Sequence, residues 1–318
     1  MTSLYKLRDW INIDKLDWFS LSMNPNAVHL LKKNTDKIYW DALSLNPNAI
    51  NIIKNKIAKD NSYKNLQCLY DIIFFNSKIF NNSLIKINWK LLSLNQNAIK
   101  LLEQNPNKID WYYLSENPNA ISLLEKNVGK INWDYLSANP NAISILEKNL
   151  DKINFLSLSS NPNPNVIPIL EKNLDKVNWY SLSRNPNAIH LLEKNLDKVY
   201  WNCLSTNPNA IHILEQNPDK INWMYLSENP NAIHLLEQNL DKINWHALSR
   251  NPNAIPLLEK NLDKINWISL SMNPNIFELD YGFLKKRMNI IREELMMKAW
   301  HPNRVMKWVE TGLDMEDL

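Results

Sequence analysis

A chain of 318 residues with 36 basic and 33 acidic side chains has almost no net charge. The two signs alternate along it, which excludes an electrostatic footprint for a polyanion over the whole molecule. Its two cysteines, Cys68 and Cys203, lie far apart and outside any CxxC or Cys/His spacing, so neither a disulfide framework nor a zinc site is indicated and a reducing compartment fits. No apolar run approaches the roughly 18 residues of a spanning helix. Lys6, Arg8, Asp9, Asp14, Lys15 and Asp17 leave no room for the apolar core of a signal peptide, so the expected setting is intracellular, neither secreted nor transmembrane.

Residues 1–17 read as an N-terminal cap, with Trp10 and Ile13 placed to cover the open end of a stack. From residue 18 to 276 one unit repeats. Its anchors are Trp18, Trp40, Trp89, Trp111, Trp133, Phe155, Trp179, Trp201, Trp223, Trp245 and Trp267, mostly 22 residues apart. Between Phe155 and Trp179 the gap is 24, because the turn has grown to Asn161-Pro162-Asn163-Pro164-Asn165. Between Trp40 and Trp89 it is 49, so a degenerate unit and an insertion are expected over about 54–88, with Leu66, Leu69, Ile72, Ile73 and Phe74 supplying apolar contacts.

Each unit predicts two short helices. In the Trp223 copy Asn222 is the N-cap of helix A (Trp223 to Ser227), and Asn229-Pro230 opens helix B as N-cap and first residue. Ala232, Ile233, Leu235 and Leu236 have the spacing of a buried helical face. Asn239 is expected to end helix B in the left-handed conformation. Asn34, Asn105, Asn127, Asn149, Asn173, Asn195, Asn217 and Asn261 stand at the same point of a chain with only three glycines. Helices this short are marginal in water, so stability must come from stacking, with Trp, Leu, Ala and Ile as the core, Glu-Lys and Asp-Lys pairs solvating the edge, and the layers spanning on the order of 100 Å. The fold class is therefore all-α, an α-solenoid of stacked helical pairs with terminal caps. Residues 277–318 predict two closing helices, about Leu284 to Trp300 and Pro302 to Thr311, with Ile291, Leu295, Val305, Trp308 and Val309 covering the last repeat.

The unit W-x-x-L-S-x-N-P-N-A-I-x-L-L-E-K-N-x-D-K-I-N, as at Trp179 to Tyr200, resembles the short repeats of proteins encoded by giant DNA viruses of the mimivirus and phycodnavirus-like group. The ending from Glu293-Glu294-Leu295 through His301-Pro302-Asn303-Arg304 to Gly312 is similar to the tail that closes such arrays. The resemblance implies a viral repeat protein in the host cytoplasm or in the virion. It brings no catalytic residues.

Chemistry has few candidates. His29, His190, His212 and His234 share one column, at steps that make a ladder and not a metal cluster, and a solvent-facing tolerant position is the expected reading. Gly129, Gly282 and Gly312 are isolated, so no phosphate loop is present. The serine of each Leu-Ser recurs in every unit and is expected to bond backbone near helix A. No cofactor, metal or catalytic residue is expected. What varies between copies should carry specificity: Tyr112, Tyr113, Glu116, Asp134, Tyr135, Arg184, His190, Asn202, Thr206, His212, Met224, Tyr225, Glu228, His234, His246 and Arg250, as a surface for protein partners. A structural component of a virus particle is one alternative. A nucleic-acid reader is another, disfavoured because the variable positions are not net basic.

Overall fold

The computed structural model describes residues 5–60 and 87–310 and forms two compact units, one of them Trp10–Ile276. Within it the predicted all-α repeat is present. In the Trp223 layer helix A is Trp223–Leu226, helix B is Ile233–Glu237, and a 3-10 turn, Leu240–Lys242, leads into an extended link. Asn222 caps helix A by accepting from the Tyr225 N–H. The Asn-Pro-Asn segment is a turn of its own, in which the Asn229 side chain accepts from the Asn231 N–H, and helix B begins only at Ile233.

Asn239 does not take the left-handed conformation. Its φ and ψ are −137° and 55°, and Asn34, Asn105, Asn127, Asn149, Asn195, Asn217 and Asn261 also have negative φ. The residue is chosen for its amide: Asn239 Nδ2 donates to the Leu235 carbonyl at 2.9 Å, replacing the N–H that a further helical turn would have supplied.

The core is narrower than the sequence pattern predicts. Leu226, Ala232 and Leu236 are fully buried and Ile243 nearly so, whereas some equivalents of Ile243, such as Ile109 and Ile221, are only partly covered. The anchor tryptophans are only partly covered. In most layers one face of the ring is closed by the lysine that follows it: Lys242 Nζ lies 4.5 Å from the Trp223 ring centroid, Lys130 4.5 Å from Trp111 and Lys264 4.7 Å from Trp245. The lysine of Asp-Lys therefore shields an aromatic face with its charge and does more than solvate the edge.

Adjacent layers are joined by backbone-directed hydrogen bonds from the invariant residues. Asn251 Nδ2 donates to the carbonyls of Ser227 at 3.1 Å and Asn229 at 2.9 Å, one layer back. Ser227 Oγ donates to the Trp223 carbonyl, as expected for the recurring serine, and accepts from the Asn244 N–H of the next layer. These amides are buried, so each rung satisfies polar groups that water cannot reach.

The ladder has no end. Asn24, in the first layer, donates to the carbonyls of Ser271 and Asn273 in the last, both at 3.0 Å, and Asn26 donates to Pro274. The Asp17 N–H reaches Ser271 Oγ at 2.8 Å, and Lys15 Nζ lies 4.8 Å from the Trp267 ring. Asn12 to Asp17, with its 3-10 turn Ile13–Lys15, thus supplies to the eleventh unit what Asn261 to Asn266 supplies to the tenth. The expected cap over 1–17 is corrected accordingly: residues 12–17 complete the last repeat, and each end of the stack is covered by the other. Ile13 is exposed. The expected rod is also corrected. Eleven layers at about 8–10 Å close a circle of roughly 14–18 Å radius through the helices.

The two irregular gaps leave the ladder intact. Asn185 reaches Ser159 and Asn161 across the longer turn, and Asn95 reaches Ser44 and Asn46 across the 49-residue gap. The Trp89 layer therefore sits directly on the Trp40 layer. The apolar residues Leu66 to Phe74, expected to form a degenerate unit, lie outside the described residues.

The second compact unit joins an N-terminal strand, β1 (Tyr5–Leu7), antiparallel to β2 (Phe277–Leu279), with Glu278 bonded to Lys6 and Arg8 at 3.3 and 3.0 Å. Helices Tyr281–Ala299 and Pro302–Glu310 follow, close to their predicted bounds. Within this unit no residue of the first helix is buried, and Ile291 and Leu295 are 39 % and 61 % exposed. The last repeat is already covered by the first.

Candidate functional site: the exposed face of the A helices

Closing a stack of helical pairs into a circle forces one helix of each pair to the inside. Most neighbouring A helices are in direct contact, the first with the last included, whereas B helices contact mainly their own turns. The A helices therefore take the shorter inner circumference. The leucine and serine in the middle of helix A are buried, while the residue after the anchor and the residue four further on lie one helical turn apart on one face. That face is open: Tyr112, Asp134, Arg184, Asn202, Met224, Glu228, His246 and Arg250 are exposed. Its flanks are the neighbouring A helices and its back is helix B, so it lines the concave side.

The predicted site residues divide between two faces. The histidines of the shared column, His29, His190, His212 and His234, are on helix B, away from the concave wall, whereas His246 is on helix A. His190, His212 and His234 meet Glu171, Glu193 and Glu215 of the preceding layer at 2.6, 2.8 and 3.0 Å, forming three consecutive interlayer rungs. His29 is half-buried, and burial depresses its imidazole below the usual range. Among the described residues no three His, Cys, Asp or Glu side chains are grouped to hold a metal ion, and Cys203 is a buried free thiol. No described helix is long and apolar enough to cross a membrane. Thr206 turns inward, donating to the Cys203 carbonyl at 2.8 Å, and Tyr225 is half-buried.

On the concave side the residue after one anchor meets the residue before the next. Asp134 bonds Asn154 at 2.7 Å and Asn202 bonds Asn222 at 2.9 Å, while His246 contacts Ser269 at 3.2 Å. Phe19 and Tyr39 pack edge to face with ring centroids 5.7 Å apart, and Tyr180 and Tyr200 do the same at 5.6 Å. A shallow groove runs between the last pair, walled by Trp179, Tyr180 and Tyr200 over Val177 and Val199. Phe19, Tyr39, Leu156, Tyr180, Tyr200 and Ile268 all belong to this surface although sequence reasoning passed them over. A signal was present. Tyr39 and Tyr200 occupy the N-cap position that is Asn or Asp in the other units, their helices lack a side-chain cap, and in both cases the preceding layer carries an aromatic residue opposite.

The densest grouping lies between the Trp111 and Trp133 layers. Tyr112 and Tyr135 have ring centroids 4.0 Å apart, Tyr112 and Tyr113 5.4 Å, and Tyr113 and Tyr135 6.2 Å. A hydrogen bond with Tyr112, aided by burial and by the nearby Glu116 carboxylate, pushes the Tyr135 phenol up to about 12. Burial likewise raises Glu116, which is half-buried.

No family model, no curated protein and no solved structure matches this chain.

Proposed function

We propose that this protein is a non-enzymatic scaffold that binds protein partners on the concave wall formed by its A helices. One observation carries the reading: residues common to all layers are spent on caps, core and interlayer rungs, while two of the columns that differ between layers lie one helical turn apart on the exposed face of the A helices. Exposed aromatic and apolar side chains there (Phe19, Tyr112, Leu156, Tyr180, Met224, Ile268) are the kind that anchor protein interfaces. The charged residues of the two concave columns are Lys90, Arg184 and Arg250 against Asp41, Glu116, Asp134 and Glu228, so the wall is not basic, which favours protein over nucleic acid. The resemblance to giant-virus repeats suggests a host-cell or virion setting for such an assembly.

The test is capture with the full chain as bait. Leu156→Arg and Met224→Arg, on the concave face, should abolish capture of a partner that His212→Ala, on helix B, leaves intact. Equal capture by all variants would place binding elsewhere. Binding to single-stranded DNA that falls steeply as salt rises would replace this reading with a nucleic-acid one.

A further inference from the structure

Most anchor rings of this protein carry a cation over one face. Lysine covers the anchor ring in layer after layer, and on the concave side Arg184 covers Tyr180, its guanidinium carbon 5.3 Å from the ring centroid. Tyr180 is the residue after its anchor and Arg184 the residue four further on. The Trp111 layer has the same tyrosine, Tyr112, but Glu116 in the place of the arginine. There the arrangement is inverted. Three tyrosine rings cluster with no cation over any of them among the described residues, and the half-buried Glu116 carboxylate has no ion pair or hydrogen bond there. Lys90, one layer back in the column of Tyr112, makes no ion pair either. Asp134, beside the cluster, adds a second negative charge while holding Asn154.

We propose that Tyr112, Tyr113, Tyr135 and Glu116 form a docking site for an arginine side chain presented by a protein partner. The inference rests on the scaffold reading and names the chemistry of one contact within it. A planar guanidinium can lie on a tyrosine face and fork onto a carboxylate at once, whereas an ammonium is a point charge that is more strongly hydrated. The partner's arginine would take the role that Arg184 plays in cis three layers further on, with the carboxylate as an added counter-charge.

The full-length protein carrying 13C-labelled tyrosine rings, titrated with N-acetyl-arginine amide and followed by NMR, tests this directly. Ring resonances of Tyr112, Tyr113 and Tyr135 should shift saturably while those of Tyr39 and Tyr200 stay in place. Glu116→Gln, which keeps shape and removes charge, should weaken the binding about tenfold. Glu116→Arg should abolish it by filling the site from within. Unchanged affinity in Glu116→Gln, or equal shifts with N-acetyl-glutamine amide, would overturn the assignment. If capture on the concave wall persists while this site fails, only the site is lost; if capture fails while the titration succeeds, only the scaffold reading is.

Discussion

Replacing Asn24 by Ala tests the closure of the array. The Asn24 amide donates to the buried carbonyls of Ser271 and Asn273, and its oxygen accepts from the Asn26 N–H, all at 3.0 Å. Three hydrogen bonds are lost together, and the carbonyls lose their side-chain donor in a place water does not reach, so the cost is about 2–4 kcal/mol. Asn229 makes the same three bonds in the interior of the chain, at 3.0, 2.9 and 3.0 Å, and Asn229→Ala should cost the same. The comparison is decisive because an open stack would treat the two differently: there, Asn24 would belong to a fraying terminal layer with no partner behind it. Urea unfolding of both variants, followed by circular dichroism, measures the difference. An Asn24→Ala variant within about 0.5 kcal/mol of wild type, beside a strongly destabilised Asn229→Ala, would refute the closed ladder, since surface changes that touch nothing fall in that range.

Three further outcomes follow from single residues. Asn239→Gly should destabilise by about 1 kcal/mol in urea unfolding, because the backbone there has negative φ and glycine adds only unfolded-state freedom while losing the bond to Leu235; a gain in stability would mean that the left-handed form is adopted after all. Tyr200→Asn should leave global stability within about 1 kcal/mol, exchanging an aromatic pair for a restored N-cap, and should slow amide exchange at Cys203; unchanged exchange would show that no cap forms. Tyr135 is neutral in the fold up to about 12 and is expected to ionise near 10 when unfolded. Its contribution to stability is thus fully present below pH 10 and lost as pH rises through about 12. Tyr135→Phe should remove that part of the alkaline decline, and absorbance titration at the tyrosinate band should lose its latest step; if both are unaltered, the bond with Tyr112 is not what holds the phenol.

The repeat announced most of the local structure because each invariant residue has a local task. Ala232, Ile233, Leu235 and Leu236 read as a buried face from their spacing, and of these Ala232 and Leu236 are fully buried while Ile233 and Leu235 are partly covered; Asn222 read as a cap from its position before the anchor. Reasoning by residue type failed where one residue can do two jobs. Asn239 looked like a substitute for glycine, but its amide was needed and its backbone freedom was not. The tryptophans looked like core because they never vary, yet what fixes them is a lysine on one face and a helix start beneath. Closure could not be read from any single unit. It depends on the angle between successive layers, set by the difference in spacing between A and B helices, and the only trace in the chain is the six residues Asn12 to Asp17 that match Asn261 to Asn266. The Tyr112, Tyr113 and Tyr135 cluster was within reach of sequence as three variable positions, and it became a grouping only when adjacent layers were superimposed in space.

A stack that bites its own tail also constrains how its gene can change. Near-identical units of 66 nucleotides invite slippage and unequal crossing-over, and an open solenoid absorbs the gain or loss of a unit at its ends with little penalty. Here the turn per layer and the number of layers must multiply to one full circle, so dropping or doubling a single unit would strain every junction or leave Asn24 facing no partner. Insertions of other lengths escape that arithmetic: the long segment between Trp40 and Trp89 and the extra Asn-Pro before Trp179 both leave the count of rungs untouched. Variation by loop and by substitution remains open to the chain, while variation by whole repeats is closed.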